Sequence, residues 1–192
     1  MKVVESPSQN DKVVAFVITG DGETERKVLK FVANRFNGKS KTLVFQKSSL
    51  SKKTGLSALN AIDKVHRLSG YTTFLILLDK EHFTREELEY KLARLFEKYE
   101  LSGTNPYIIT SDVFRVYLVV LGYKKAIEEH IAKLIELEFS ESVPPEKSSI
   151  KTFLRTKGLK KYKRLFETVK LENLEKAFKP LVEAIKVLEE ET

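Results

Sequence analysis

The sequence predicts an α/β protein with a mainly parallel sheet of about four strands flanked by helices, and a C-terminal helical extension. Three observations predict it. Short, continuous apolar runs rich in β-branched residues, "VVAFVIT" (13–19), "TLVF" (42–45), "TTFLILL" (72–78) and "PYIIT" (106–110), read as buried strands. Segments between and after them carry apolar residues at helical spacing, and strand alternating with helix is the rhythm of a parallel sheet. Beyond residue 139 only helical periodicity remains.

Taken in order, residues 1–12 read as a polar, flexible leader. After the first strand, Val28, Phe31, Val32 and Phe36 mark the inner face of a helix that "NGKSK" (37–41) ends. "QKSSLSKKTG" (46–55) is a Ser/Lys-rich loop, and the next helix turns Leu56, Leu59, Ile62, Val65 and His66 inward. Thr84 and Glu87 form a capping box for a helix whose stripe is Leu88, Leu92, Leu95, Phe96 and Tyr99. Ser111 or Asp112 caps an apolar helix through "VFRVYLVVLG", ending at Gly122. Further helices are expected over 124–138, 147–169 and 172–190, with "SESVPPEKSS" (140–149) as the linker. The domain reading is therefore an α/β domain over 13–139, with the helical extension of 140–192 packed on it.

The 192 residues suffice for one domain with a real core. No apolar run approaches the roughly 20 residues that span a bilayer, and the first residues lack the apolar core of a signal peptide. A cytoplasmic protein with no membrane partner is expected. The absence of cysteine excludes disulfides, thiolate zinc sites and cysteine nucleophiles. With only three histidines, a metal would have to sit on carboxylates, which suits Mg²⁺ or Mn²⁺. The net charge of +7 favours anionic partners, nucleic acid first.

Ligands of open α/β sheets bind beyond the carboxyl ends of the strands. Two of the expected strands run into acid there: the first into "GDGETE" (20–25), the third into "LLDKEHF" (77–83). The glycines resemble a phosphate cradle, yet Asp21, Glu23 and Glu25 would repel a phosphate. Asp79 and Glu81 are two residues apart, so in extended chain they face one side. If the first and third strands are neighbours, Asp21, Glu25, Asp79 and Glu81 converge, and carboxylates so placed need protons or a hard cation to coexist. Acids in a first helical turn also stabilise the helix dipole, and Thr24 fits its cap. His82 follows Glu81 directly. Two basic stretches accompany the acids. One is the loop with Lys47, Lys52 and Lys53. The other is "KTFLRTKGLKKYKR" (151–164), which includes Lys157, Lys160, Lys161, Lys163 and Arg164 and no acid. Both suit phosphate contacts, and the second equally suits a solvated helix face.

These motifs carry a resemblance. "VITGDGETERKVLKFV" resembles the first motif of Toprim domains of the OLD-nuclease and RloB-like branch, through Asp21, Gly22, Thr24 and Glu25. "FLILLDKEHF" is similar to the second, through Asp79 and Glu81, and "YIITSDVFRVYLVVLGY" looks like a further RloB-type segment. The basic stretch and the closing helix also sit where that family has them, so the resemblance covers most of residues 13–190. Asp21 stands where the family has Glu, Glu81 where it has Asp, Arg115 where it has Glu and Tyr117 where it has Trp. The resemblance implies a Toprim-like (Rossmann-like) sheet and an enzyme that hydrolyses phosphodiester bonds of DNA or RNA. Asp21 would be general acid/base or metal ligand, and Glu25, Asp79 and Glu81 would hold Mg²⁺ or Mn²⁺. Nucleic acid, a separate ATPase subunit and a second copy of the chain in a homodimer are the partners to expect. Two other readings stay open: a catalytically inactive Toprim-like module that binds nucleic acid or a partner, and a nucleotide-binding regulatory α/β domain.

Overall fold

The computed structural model describes residues 1–19, 23–48, 53–159 and 162–191. Its centre is β2 (Lys12–Thr19), β4 (Thr73–Asp79) and β7 (Arg115–Leu121), parallel neighbours in a seven-stranded mixed sheet of order β1-β3-β2-β4-β7-β6-β5. β3 (Lys41–Val44) and β1 (Lys2–Val4) extend the parallel part outward, while β6 (Tyr107–Ser111) and β5 (Tyr99–Ser102) add two antiparallel strands at the other edge. The first and third of the expected strands, whose adjacency is the condition for the acids to meet, are β2 and β4: Phe16 to Thr19 pair with Phe74 to Leu77.

Side chains alternate between the two faces of each central strand. Ala15, Val17, Leu75, Leu77, Tyr117, Val119 and Leu121 point to one face, where α1 (Glu23–Arg35), α4 (Glu128–Phe139), α5 (Lys147–Thr156), α6 (Tyr162–Thr168), α7 (Leu171–Ala177) and α8 (Lys179–Glu190) cover them. Phe16, Ile18, Phe74, Ile76, Leu78, Val116, Leu118 and Val120 point to the other, under a 3-10 segment (Gly55–Ala61), α2 (Ile62–Ser69) and α3 (Arg85–Leu95). A sheet buried on both faces explains why its strands read as unbroken apolar runs.

The sheet has seven strands rather than about four, and each difference has a cause. "VFRVYLVVLG" is β7, not a helix. A stretch this short and apolar but for Arg115 has no diagnostic period, and a site between β4 and β6 rewards the β-branched and aromatic residues Val116, Tyr117, Val119 and Val120. Ser111 accordingly closes a hairpin instead of capping a helix: Phe114 N–H donates to Ser111 Oγ at 3.0 Å, and Ser111 N–H to Phe114 O at 2.9 Å. Tyr99 opens β5, because α3 stops at Leu95, which is left 39% exposed. The leader is ordered too. Val3 and Val4 pair with Leu43 and Val44 in β1, and Met1 is buried with its amine donating to Ala33 O at 2.6 Å. Three strand residues are too few to show as a pattern; the exposed edge of β3 supplies what their propensity does not.

In the C-terminal third, the expected helix over 147–169 is divided at Gly158, whose φ is +70°, and that over 172–190 at Phe178. Both halves of each fold onto the α1 face. The guanidinium of Arg35 in α1 donates to the carbonyls of Phe166 and Val169, tying the end of α6 to the α/β layer. No helix among the described residues is long and apolar enough to cross a membrane.

Candidate active site

Three parallel strands deliver acid to the carboxyl edge of the sheet. β4 ends on Asp79 itself. β2 ends at Thr19, and the helix that follows, α1, carries Glu25 in its first turn. β7 ends at Leu121, and α4 begins with Glu128. All three carboxylates border one cleft of 580 Å³, yet each residue is nearly shut off from solvent, with exposures of 5% for Glu25, 7% for Asp79 and 8% for Glu128. Glu81 and His82 stand at the same cleft, with Thr24, Lys27, Ala126, Lys147, Lys151 and Tyr162 completing its wall.

The loops that carry these groups are stitched together by backbone hydrogen bonds. Ile127 N–H donates to Asp79 Oδ1 at 3.3 Å, and Glu81 N–H donates to Lys125 O at 2.9 Å, so the β4 exit and the β7 exit hold each other. The turn between β7 and α4 is fixed in its turn by Glu129, whose Oε2 accepts from the N–H groups of Tyr123, Lys124 and Lys125 at 2.6, 2.8 and 3.0 Å. Burial alone would raise the Glu129 carboxyl; these three donors outweigh it and hold the group below the usual range. Gly122 makes the turn possible. Its φ is +90°, and a Cβ there would lie 2.6 Å from Ala126 N.

The two-residue alternation expected of Asp79 and Glu81 does not apply, because the chain leaves β4 in a 3-10 turn over Lys80–His82. Asp79 points inward, whereas the Glu81 side chain is 48% exposed and lies 3.7 Å from His82 Nε2. Asp21, Lys52, Lys160 and Lys161 lie outside the described residues. Of the other basic candidates, Lys47 is exposed and pairs with Glu5 at 2.9 Å, Lys53 donates its backbone N–H to Thr19 O at 2.9 Å, Lys157 pairs with Glu141, and exposed Lys163 faces Glu167 at 3.5 Å. Arg164 is exposed on α6. None of these five lines the cleft; the cations that do are Lys27, Lys147 and Lys151. Arg115 opens β7 and is therefore the length of that strand, about 20 Å, from the carboxyl edge. There it pairs with Glu191 at 3.0 Å and stacks on Tyr117.

Glu128 is the residue that sequence reasoning missed. Its signal was present: a β-branched run, a glycine turn and an acid in the first helical turn repeat the pattern of "VVAFVITGDGETE". It was hidden because β7 reads as a helix. Among the described residues Glu128 Oε1 is sealed from solvent without a hydrogen bond, and Lys147 Nζ faces it at 3.5 Å. The Tyr162 hydroxyl is likewise sealed and unbonded, and burial together with the Glu128 charge raises it above its ordinary value.

Three carboxylates withdrawn from water into one cleft repel one another unless positive charge intervenes. Lys27, Lys147 and Lys151 provide some of it from the α1 and α5 sides. The donor set, all oxygen, fits Mg²⁺ or Mn²⁺ rather than a thiophilic metal. Among the described residues no three acid or histidine side chains are grouped closely enough to hold a metal as they stand. No protein-family model, curated protein or solved structure matches the chain.

Proposed function

We propose that the chain is a Toprim-like, Mg²⁺- or Mn²⁺-dependent nuclease that hydrolyses phosphodiester bonds of DNA or RNA. The observation that carries the reading is that Glu25 and Asp79, buried carboxylates from the exits of adjacent parallel strands, border one cleft at the carboxyl edge of the sheet. In this reading Glu25, Asp79 and Glu128 are the inner ligands, Glu81 joins from the mouth, and Asp21 serves as ligand or general acid/base. A hard cation held by this set would supply the charge that activates water and stabilises the leaving oxygen. The chain's own part is to orient and to neutralise. Ile127 N–H fixes the Asp79 carboxylate, the positive end of α1 favours the anion at its first turn, and Lys27, Lys147 and Lys151 draw the phosphate backbone to the cleft. A separate ATPase subunit and a homodimer belong to the same reading.

The test is cleavage of end-labelled DNA and RNA, single- and double-stranded, with Mg²⁺, Mn²⁺ or EDTA. Cleavage that needs the metal and falls to background in Asp79→Asn is expected. A second reading, a binding module without catalysis, draws on the lack of a ready-assembled metal group among the described residues. It is favoured if salt-sensitive binding survives Asp79→Asn and no cleavage occurs with either metal.

A further inference from the structure

A second depression, of 890 Å³, adjoins the carboxylate cleft and shares Glu81 and His82 with it. It runs between the 3-10 segment and α3. Its floor is set by a close approach at Gly55, where φ is +49° and a Cβ would meet His82 Cβ at 2.9 Å. Its far wall is α3, which presents Tyr90, Lys91 and Arg94. Tyr90 is the feature that calls for an explanation. On a helix whose inward stripe is Leu88 and Leu92, it sits 66% exposed, and its ring is held rather than loose: Arg94, one turn on, places its guanidinium 5.6 Å from the ring centroid and donates to the Tyr90 hydroxyl at 3.3 Å. Asn60 lines the groove on the opposite bank.

We propose that this groove is a subsite for single-stranded nucleic acid, in which a base flanking the bond to be cut stacks on Tyr90 while Arg94 and Lys91 meet its phosphates. The proposal rests on the nuclease reading for the position of the cut. The groove itself argues for the strand. An exposed aromatic face braced by a guanidinium is the stacking platform that unpaired bases use, and it is of no use to a base still stacked in a duplex. Lys91 and Arg94 share the α3 wall with Glu87, and Glu81 and His82 join the groove to the acid cleft, so a strand entering over Arg94 and Lys91 is led past His82 to that cleft. Asn60 offers a donor and an acceptor to a base edge.

The experiment is fluorescence anisotropy with labelled oligonucleotides, single-stranded and as the matching duplex, in EDTA and in Mg²⁺, alongside the cleavage assay. The wild-type protein is expected to prefer the single strand. Tyr90→Ala should weaken single-strand binding about tenfold and leave duplex binding unchanged, Tyr90→Phe should retain affinity, and Arg94→Ala should weaken binding and flatten its salt dependence. Because Tyr90 is exposed, these changes leave the fold intact. If Tyr90→Ala binds single strands as wild type does, or loses single strand and duplex alike, while cleavage still depends on Asp79, the subsite is overturned and the nuclease reading stands. If wild-type protein binds neither form and cleaves nothing, both are overturned.

Discussion

Asp11 shows how a single carboxylate ties down what the sequence presents as a loose leader. Its Oδ2 accepts from the Ser8 N–H at 2.7 Å and the Ser8 hydroxyl at 2.9 Å, and Lys2 Nζ lies 3.0 Å from its Oδ1. The Ser8 backbone donor first, then Lys2 and the Ser8 hydroxyl, hold its carboxyl down at about 2. A carboxyl whose folded value is depressed stabilises the fold above its unfolded value, and the contribution is lost as pH falls through the folded one. Asp11→Asn should therefore be less stable than wild type at neutral pH, with the gap closing between about pH 4 and pH 2. Urea denaturation of both proteins across that range measures it, and a gap independent of pH would contradict the assignment. At this same scale the meeting of Glu25, Asp79 and Glu81 at one cleft could be read from the sequence, because each lies in an acidic stretch beyond the carboxyl end of a buried strand. Glu128 could not be, since its legibility depended on recognising the strand before it.

Elements position the site through their ends. The exits of β2, β4 and β7 lie side by side because the strands are parallel and adjacent in the sheet, and the Gly122 turn brings Ile127 N–H onto Asp79. Gly122→Ala forces a side chain into left-handed backbone and against Ala126, 2.6 Å away. A loss of about 2 kcal/mol or more is expected, with metal-dependent cleavage impaired beyond what the stability loss explains. Chemical denaturation and the cleavage assay on one preparation check both. A variant as stable and active as wild type would show that the turn does not set the site. The parallel core was legible from runs such as "TTFLILL", buried on both faces. The edges were not: β1 and β5 are three or four residues long and exist because a neighbour offers unpaired backbone, which no local pattern encodes.

At the scale of the whole molecule, the C-terminal helices are part of the core that shapes the cleft. Phe178 is fully buried between His130 and Phe166, at centroid distances of 5.3 and 5.6 Å, and Lys147, Lys151 and Tyr162 reach the cleft from α5 and α6. Phe178→Ala should cost about 3–5 kcal/mol and lower a single unfolding transition. Two separate transitions, with only the later helices destabilised, would mean that residues 140–192 fold apart from the sheet. Of the described basic residues of the run at 151–164, those that reach the cleft are decided by where α5 and α6 lie, which the run itself does not encode. Lys151 does, whereas Lys157, Lys163 and Arg164 do not. All of this architecture converges on three buried carboxylates that border one cleft, so the most direct measurement is calorimetric titration of the metal-free protein with Mn²⁺. Stoichiometric binding that is lost in both Glu25→Gln and Asp79→Asn, with circular dichroism unchanged, is the expected result. Wild-type protein that takes up no Mn²⁺, or variants that bind it as wild type does, would contradict a cation site in this cleft.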